Sequence, residues 1–258
     1  MNLVQSAILG IVEGMTEFLP ISSTGHLILA SSLLGVLQSE FTKTFEIVIQ
    51  LGAIFAIVVL YWSALWKWET VKRLAVAFIP TGIIGLAMYH ILKTYLLGNL
   101  TVVLGALFIG GVIIIGFEKL YGPKEDALGD APDTPLTYRQ ALWVGVAQAI
   151  AIIPGVSRSG ATILGGLALG IKRAAIVEFS FLLAVPTMLA ASGLDLLKSS
   201  FSFTPHEWLA LTVGFVASFA VAMPIVRWFL GYVRTHSFTS FGVYRIALSL
   251  VFAAFLFF

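Results

Sequence analysis

Glu13-Gly-Met-Thr-Glu17-Phe-Leu-Pro-Ile-Ser-Ser-Thr-Gly-His26 concentrates two carboxylates, a row of hydroxyls, a proline, a glycine and an imidazole between two apolar segments. Glu13 and Glu17 are four residues apart, so on a helix both carboxylates leave the same face. Pro20 and Gly25 then turn the chain instead of continuing the helix. The flanking pieces, residues 3–19 and 27–37, are each too short to cross a bilayer core, which takes roughly 20 helical residues. Two short helices around a polar turn read as a re-entrant hairpin. Such backbone is tolerated at membrane depth only where protein or a wet cavity surrounds it, and ionisable groups at that depth mark a functional site.

The composition agrees with this reading. Of 258 residues, 59% are hydrophobic and 11% charged, with a mean hydropathy of +1.00. A soluble domain is about one quarter charged, so this is an integral membrane protein. The net charge of +2 is spread over short loops and gives no nucleic-acid surface. The absence of cysteine excludes disulfides, thiolate metal sites and a cysteine nucleophile. The first residues carry no positive segment, so a cleaved signal peptide is not expected.

Further along, spans are expected at Phe45–Trp62, Val71–Leu92 and Thr101–Phe117. Residues 118–139 mix charges with Pro123, Pro132 and Pro135 and read as a solvated linker. Tyr138–Ile153 then leads into Pro154-Gly-Val-Ser-Arg-Ser-Gly-Ala-Thr162 and a short apolar piece, again two short segments around a polar turn. Spans follow at about 175–195, 207–230 and 241–258. A shift of 135 lays Gly10, Glu13, Ile21, Ser22 and Gly25 on Gly145, Gln148, Val156, Ser157 and Gly160. The expected fold is all-α: six transmembrane helices plus two re-entrant helical hairpins in an inverted repeat. Halves 1–120 and 138–258 of a single membrane domain are joined by a cytoplasmic loop, 121–137. Three crossings per half invert one half relative to the other, so the hairpins enter from opposite faces and meet near the midplane.

Counting basic residues orients the chain. The side holding the N-terminus carries Lys43, Lys93 and Lys198. The other carries Lys67, Lys72, Arg73, Lys119, Lys124, Arg139, Lys172, Arg173, Arg227, Arg234 and Arg245, three against eleven with Arg158 set aside. The positive-inside rule makes the second side cytoplasmic, with both termini and the mouth of the first hairpin outside.

The second hairpin turn supplies Arg158, flanked by Ser157, Ser159, Gly160 and Thr162 at an expected helix start. Its planar fork suits phosphate oxygens, and free amides and the helix dipole add to the attraction for an anion. Pairing of Arg158 with Glu13 or Glu17 is the alternative. Paired carboxylates opposite such a cradle suggest a divalent cation held between Glu13, Glu17 and phosphate. His26 reads as acid/base or nucleophile, and Ser22 or Ser23 as nucleophile, with Thr24 beside them. If a helix begins near Ser22, Ser23 and His26 share a face. The better nucleophilicity of neutral imidazole leans toward His26 as attacker, with Ser23 left open. Glu46, Gln50 and Glu178 read as support for the hairpins. Asp195 and Arg227 read as interfacial anchors, and His90, His206 and His236 as residues near span ends.

Both polar signatures, together with Phe45-Glu-Ile-Val-Ile-Gln-Leu-Gly and Glu178-Phe-Ser-Phe-Leu-Leu-Ala-Val-Pro, resemble the undecaprenyl-diphosphatase (bacitracin-resistance) family over the whole chain. The resemblance implies hydrolysis of undecaprenyl diphosphate to the monophosphate and phosphate. That reaction recycles the lipid carrier of peptidoglycan synthesis and confers bacitracin resistance. The resemblance further implies a Mg²⁺ or Ca²⁺ requirement, residence in the bacterial inner membrane and a site open to the periplasmic face. Glu17, Ser23, His26 and Arg158 would be the catalytic set and Ser22, Thr24, Ser157, Ser159, Gly160 and Thr162 the substrate-binding set. The expected partners are the polyprenyl diphosphate and the bilayer, with a homodimer left open. A lipid-carrier transporter built on the same repeat is the alternative.

Overall fold

The structure is a computed structural model that describes residues 1–37, 39–91, 96, 99–126, 135–198 and 203–257. Among them it is all helical: α1 (Leu3–Thr16), α2 (Ser23–Leu33), α3 (Glu40–Leu60), the short α4 (Trp62–Leu65), α5 (Trp68–Ile91) and α6 (Leu100–Asp126). The second half holds α7 (Tyr138–Ala149), a 3₁₀ turn (Ile150–Ile152), α8 (Arg158–Ala168), α9 (Arg173–Lys198), α10 (Pro205–Val233) and α11 (Thr239–Phe257).

The two hairpins, α1–α2 and α7–α8, are built by the same local chemistry. Asn2 and Gln5 form a capping box at the start of α1, and Thr137 and Gln140 form one at the start of α7. Such boxes satisfy amides that a helix start otherwise leaves bare. Gln5 Nε2 then donates to the Leu34 carbonyl at 3.0 Å, and Gln140 Nε2 to the Leu169 carbonyl at 3.4 Å. Ser22 caps α2 through the Gly25 amide and Ser157 caps α8 through the Gly160 amide. At the far ends the chain reverses at Gly35 (φ +64°) and Gly170 (φ +73°), a backbone region open to glycine and costly for other residues. Each of these pairs is separated by 135 residues, so the interval legible in a few identities is written throughout the hydrogen bonding of the hairpins.

Helix pairing has the same regularity. α1 packs on α10 and α7 on α5; α3 packs on α10 and α9 on α5; α3 meets α9 and α6 meets α11. Exchanging the halves turns each of the first four pairings into another that is present and the last two into themselves, as a two-fold relation between them requires. Gly10 and Gly145 bring two of the crossings close: a Cβ there would strike the backbone carbonyls of Gly214 and Ala77. In lipid, where apolar burial gives little net drive, such close backbone packing holds helices together. Phe18, in the first hairpin turn, sits edge-on to Phe181 of α9 at 5.4 Å, both fully buried. Such pairs contribute about 0.5–1.5 kcal/mol beyond area burial.

The outside is that of a membrane protein. α3, α5, α6, α9 and α10 are long and apolar enough to cross a bilayer, and α11 is an apolar helix of 19 residues. Trp62, Trp66, Trp68, Trp143, Trp208 and Trp228 are all at least half exposed, as interfacial tryptophans are. Polar side chains are drawn inward instead, with Glu13, Ser159, Thr162 and Ser180 all 0% exposed.

Three expectations need correction. The solvated linker starts later than expected, because α6 runs on to Asp126 and takes Lys119, Lys124, Glu125 and Asp126 into a helix. The reason is visible at Glu118, which is buried and accepts from Arg173 Nη1 at 2.6 Å and from the Phe238 amide at 2.7 Å, tying the end of α6 to α9 and α11. Residues 127–134 of that linker lie outside the described residues. Gly25 is no part of the first turn, since the Ser22 cap restarts the helix at Ser23. Arg245 is no loop charge but a buried residue within α11. Removing it leaves the basic count at three against ten. Arg227 is exposed, while the side chains of Asp195 and His90 lie outside those described.

Candidate active site

The hairpin turns meet side by side. Ser159 Oγ donates to the Leu19 carbonyl at 2.7 Å, and Ser157 Oγ lies 3.3 Å from the same oxygen. Hydroxyls of the second hairpin thereby satisfy a carbonyl that the first hairpin exposes where α1 ends. At this junction Ser23 and Arg158 occupy equivalent places, each the first residue of the helix leaving its turn and 135 apart in sequence.

Both converge on Glu17, which caps the end of α1. Ser23 Oγ donates to Glu17 Oε2 at 2.5 Å, and Arg158 Nη2 donates to Glu17 Oε1 at 2.8 Å. The Glu17 and Arg158 side chains are 5% and 12% exposed, so this ion pair is largely desolvated. Arg158 is held from behind as well. Its Nη1 donates to the Ser180 carbonyl at 2.9 Å, Thr162 Oγ1 and Ser180 Oγ lie 2.5 Å apart, and the guanidinium stands over the Phe18 ring. Arg158 Nε is left without a protein acceptor. Ser22, the cap of α2, has φ +70°, the one non-glycine residue with positive φ among those described. Such backbone costs of order 1–3 kcal/mol and clusters at functional sites.

A cavity of about 230 Å³ opens here, lined by Glu17, Ser22, Ser23 and Thr24 from the first hairpin and Ser157 and Arg158 from the second. The starts of α2 and α8 both reach it, so two helix dipoles and their unpaired amides present positive ends to one space. Of the remaining expected residues, Ser159, Gly160 and Thr162 stand behind the wall, joining the turns and bracing Arg158. Glu13 also lies behind, fully buried, both its oxygens without a donor. The charges acting on it are Glu17, Glu46 and Arg158.

His26 does not pair with Ser23. Its Nδ1 donates to the Ser22 carbonyl at 2.7 Å, which in the neutral ring leaves Nε2 to accept from the Tyr244 hydroxyl at 2.8 Å. Tyr244 also stacks on the ring. Both nitrogens are therefore occupied away from the cavity, and the lean toward His26 as attacking group finds no geometric support. The shared helix face is real, but Glu17 captures Ser23 from the preceding turn.

Several lining residues were missed. Gln50, expected only to support the hairpins, lines the cavity itself, with Thr81, Gln148 and Thr187. Thr81 Oγ1 donates to the Gly145 carbonyl at 2.8 Å and so accepts from Gln148 Nε2 at 2.9 Å, leaving Gln148 Oε1 without a donor. The repeat was the signal available for Gln148, which falls on Glu13. Thr81 and Thr187 lie in apolar spans with no spacing to single them out.

The donor set bears on a cation. Among the described residues no three His, Cys, Asp or Glu side chains are grouped as a metal cage. The orphaned oxygens of buried Glu13, beside Glu17 but behind the cavity wall, are nonetheless of the donor type a hard cation takes.

Two capped helix starts converging on a buried Glu–Arg pair, inside a chain that is all helical among the described residues and whose exterior is apolar, define a membrane protein with an internal polar site suited to an anionic group. A model of the family described as bacitracin resistance protein BacA matches residues 6–251. The chain belongs to that family. It is 52% identical over 255 residues to the undecaprenyl-diphosphatase of Aquifex aeolicus, covering 98% of each chain. It is 48% identical to the undecaprenyl-diphosphatase of Persephonella marina, covering 99% of each. With that of Bdellovibrio bacteriovorus the identity is 49%, covering 97% of this chain and 95% of the other.

Proposed function

We propose that the protein hydrolyses undecaprenyl diphosphate to undecaprenyl phosphate and phosphate, with Ser23 as nucleophile and Glu17 as its base. The observation that carries this reading is the Ser23–Glu17–Arg158 array, a hydroxyl 2.5 Å from a carboxylate that is itself 2.8 Å from a guanidinium. A serine hydroxyl is a poor nucleophile without an adjacent base. As the Ser23 oxygen bonds to the terminal phosphorus, its proton passes to Glu17 and the bridging P–O bond breaks. The electron pair leaves with undecaprenyl phosphate, to which Glu17 returns the proton. Glu17 then takes a proton from the water that attacks the phosphoserine and gives it to the Ser23 oxygen as the Ser23 O–P bond breaks, releasing phosphate and restoring both residues. Arg158 exchanges part of its hold on Glu17 for phosphate oxygens, and its free Nε–H adds a donor. Ser22, Thr24, Ser157 and the amides of both helix starts orient the diphosphate. His26, fixed by Tyr244, braces the start of α2. A divalent cation would be held by Glu13 and Glu17 and would neutralise phosphate charge.

The substrate tail also has a place. An apolar groove of about 700 Å³ runs along α6, the 3₁₀ turn and α8, and shares Val156 and Ser157 with the cavity wall. In this reading it takes the first isoprene units. Gly105 lines it, and a Cβ there would meet nothing within 4 Å, so the side chain of Gly105→Leu leaves the helix into open space at the groove. The variant is expected to raise KM for a long-chain polyprenyl diphosphate by roughly tenfold, the scale of a blocked apolar pocket. KM for a short prenyl diphosphate should stay unchanged; equal effects on both would place the tail elsewhere.

In the membrane, α3, α5, α6, α9, α10 and α11 cross, while the α1–α2 and α7–α8 hairpins are re-entrant from opposite faces. The repeated hydrogen bonds and the basic-residue count support this arrangement, with both termini and the cavity mouth outside. Since the chain lacks cysteine, single cysteines report on it cleanly. Lys43→Cys should react with an impermeant thiol reagent added to intact cells, and Lys67→Cys, beyond the other end of α3, should react only after lysis. The reverse pattern would overturn the orientation.

The reaction itself is tested by phosphate release from purified protein given a polyprenyl diphosphate, with and without chelator. Release that the chelator suppresses supports the reading. A protein that moves the lipid across vesicles but releases no phosphate would instead be a transporter, which paired broken helices also permit.

A further inference from the structure

We infer that Arg245 is a positioning residue, setting Ser23 against Arg158 by tying the two hairpin turns together. Arg245 is 2% exposed, and among the described residues no acidic side chain pairs with it. It donates instead to four backbone carbonyls. Nη1 reaches Pro20 at 3.2 Å, Nη2 reaches Gly155 at 3.0 Å and Ala106 at 2.9 Å, and Nε reaches Leu107 at 3.2 Å. Ala106 and Leu107 anchor the fork to α6. Pro20 and Gly155 belong one to each turn, and they are 135 residues apart, the interval of the repeat. The two-fold relation therefore brings equivalent carbonyls of both hairpins to a single point, where one planar fork spans them.

Each of those carbonyls lies three residues ahead of a reacting side chain, Pro20 before Ser23 and Gly155 before Arg158. Fixing the first pair fixes the spacing of the second. The serine contacts to Leu19 join the turns at another point, so that contact and the guanidinium together prevent one hairpin from pivoting on the other. An unpaired buried cation is costly at membrane depth, and neutral donors could fill ordinary turns. What the guanidinium alone supplies is five rigid donors in one plane. Space for it comes from Gly110, where a Cβ would overlap the guanidinium.

That overlap gives a second way to displace Arg245 without removing it. This inference rests on the diphosphatase reading for its catalytic consequence, so one readout must be independent of turnover. Spin labels on cysteines at Met15 and Ile150, exposed positions on the two hairpins, report the distance between them in detergent. The cysteine-free background should give one narrow distribution, broadened by Arg245→Lys and by Gly110→Ala. Turnover is measured on the same proteins without labels, with thermal unfolding of each. Both variants should lose kcat by about tenfold to a hundredfold on a short prenyl diphosphate, as displacements near 1 Å do, while KM for that substrate stays close to that of the wild type. The short substrate is used because Arg245 and Gly110 also line the apolar groove. Their double variant should lose less than the product of the two single effects, because both act on one guanidinium. Unbroadened distances in the variants would overturn the inference whatever the activity. So would wild-type kcat in Gly110→Ala, effects that multiply independently, or a kcat loss that merely follows the loss of folded protein. Should Arg245→Lys fail to fold, Gly110→Ala decides alone. A wild-type protein that shows the distances but releases no phosphate counts against the diphosphatase reading, and the distances still decide the role of Arg245 in joining the turns.

Discussion

Ser23→Ala is expected to lower phosphate release on the order of 10⁴-fold or more, the scale at which removing a nucleophile from a preorganised site registers. The substitution deletes one oxygen and leaves the rest of the cavity standing. Ala at the first turn of a helix costs nothing in propensity, and the Ser22 cap on α2 is untouched. What it strands is Glu17 Oε2, whose donor at 2.5 Å disappears. Losing a partner of this kind costs about 1–3 kcal/mol, which the neighbouring Arg158 reduces. Folded Ser23→Ala protein should therefore still bind a polyprenyl diphosphate, as competition with wild-type turnover or direct titration would register. If Ser23→Ala keeps more than a tenth of wild-type turnover, roughly the factor that 1.4 kcal/mol represents, Ser23 is no nucleophile.

Glu17→Gln reaches further because Glu17 serves two partners at once. Turnover should fall by about a hundredfold or more, the usual effect of losing a positioned base. The amide keeps the carboxylate shape and can accept from either Ser23 or Arg158, but it cannot take the serine proton. It also removes the countercharge of a largely buried guanidinium, and breaking such a pair from one side typically costs about 3–5 kcal/mol. Thermal unfolding should accordingly drop more in Glu17→Gln than in Ser23→Ala, with a larger loss of activity in Ser23→Ala. The opposite ranking in both measurements would mean that the Glu17–Arg158 pair contributes little to folding and that Glu17, not Ser23, carries the chemistry. Near wild-type turnover in Glu17→Gln would place the active centre elsewhere.

The hairpins were readable because their chemistry is local. A Ser cap, a polar turn and a glycine after a short apolar piece all act within a few residues, and the interval of 135 repeats them. The Glu17–Arg158 pairing was legible as an alternative, since two opposite charges at membrane depth have few other partners. The Ser23–Glu17 contact was not, because spacing favoured the shared face of Ser23 and His26. The deciding fact is the sharp return of the chain at Phe18–Ser22, which folds Glu17 back over Ser23. Arg245 escaped for a different reason. In Phe241-Gly-Val-Tyr-Arg-Ile-Ala-Leu248 a lone arginine looks like a span end, and the carbonyls that hold it come from three distant segments. Its isolation among apolar neighbours was the one sign of burial. Likewise Glu118 reads as linker charge until Arg173 and the Phe238 amide, from the other half of the chain, fold onto it.

Trapping the enzyme during turnover tests the central claim most directly. Purified protein is mixed with a polyprenyl diphosphate carrying labelled terminal phosphate, quenched in acid and digested. Phosphoserine survives acid whereas phosphohistidine does not. The account predicts acid-stable label on the peptide containing Ser23, absent from Ser23→Ala. Label that survives only an alkaline quench and maps to His26 would contradict it, as would turnover with no phosphoenzyme under either quench.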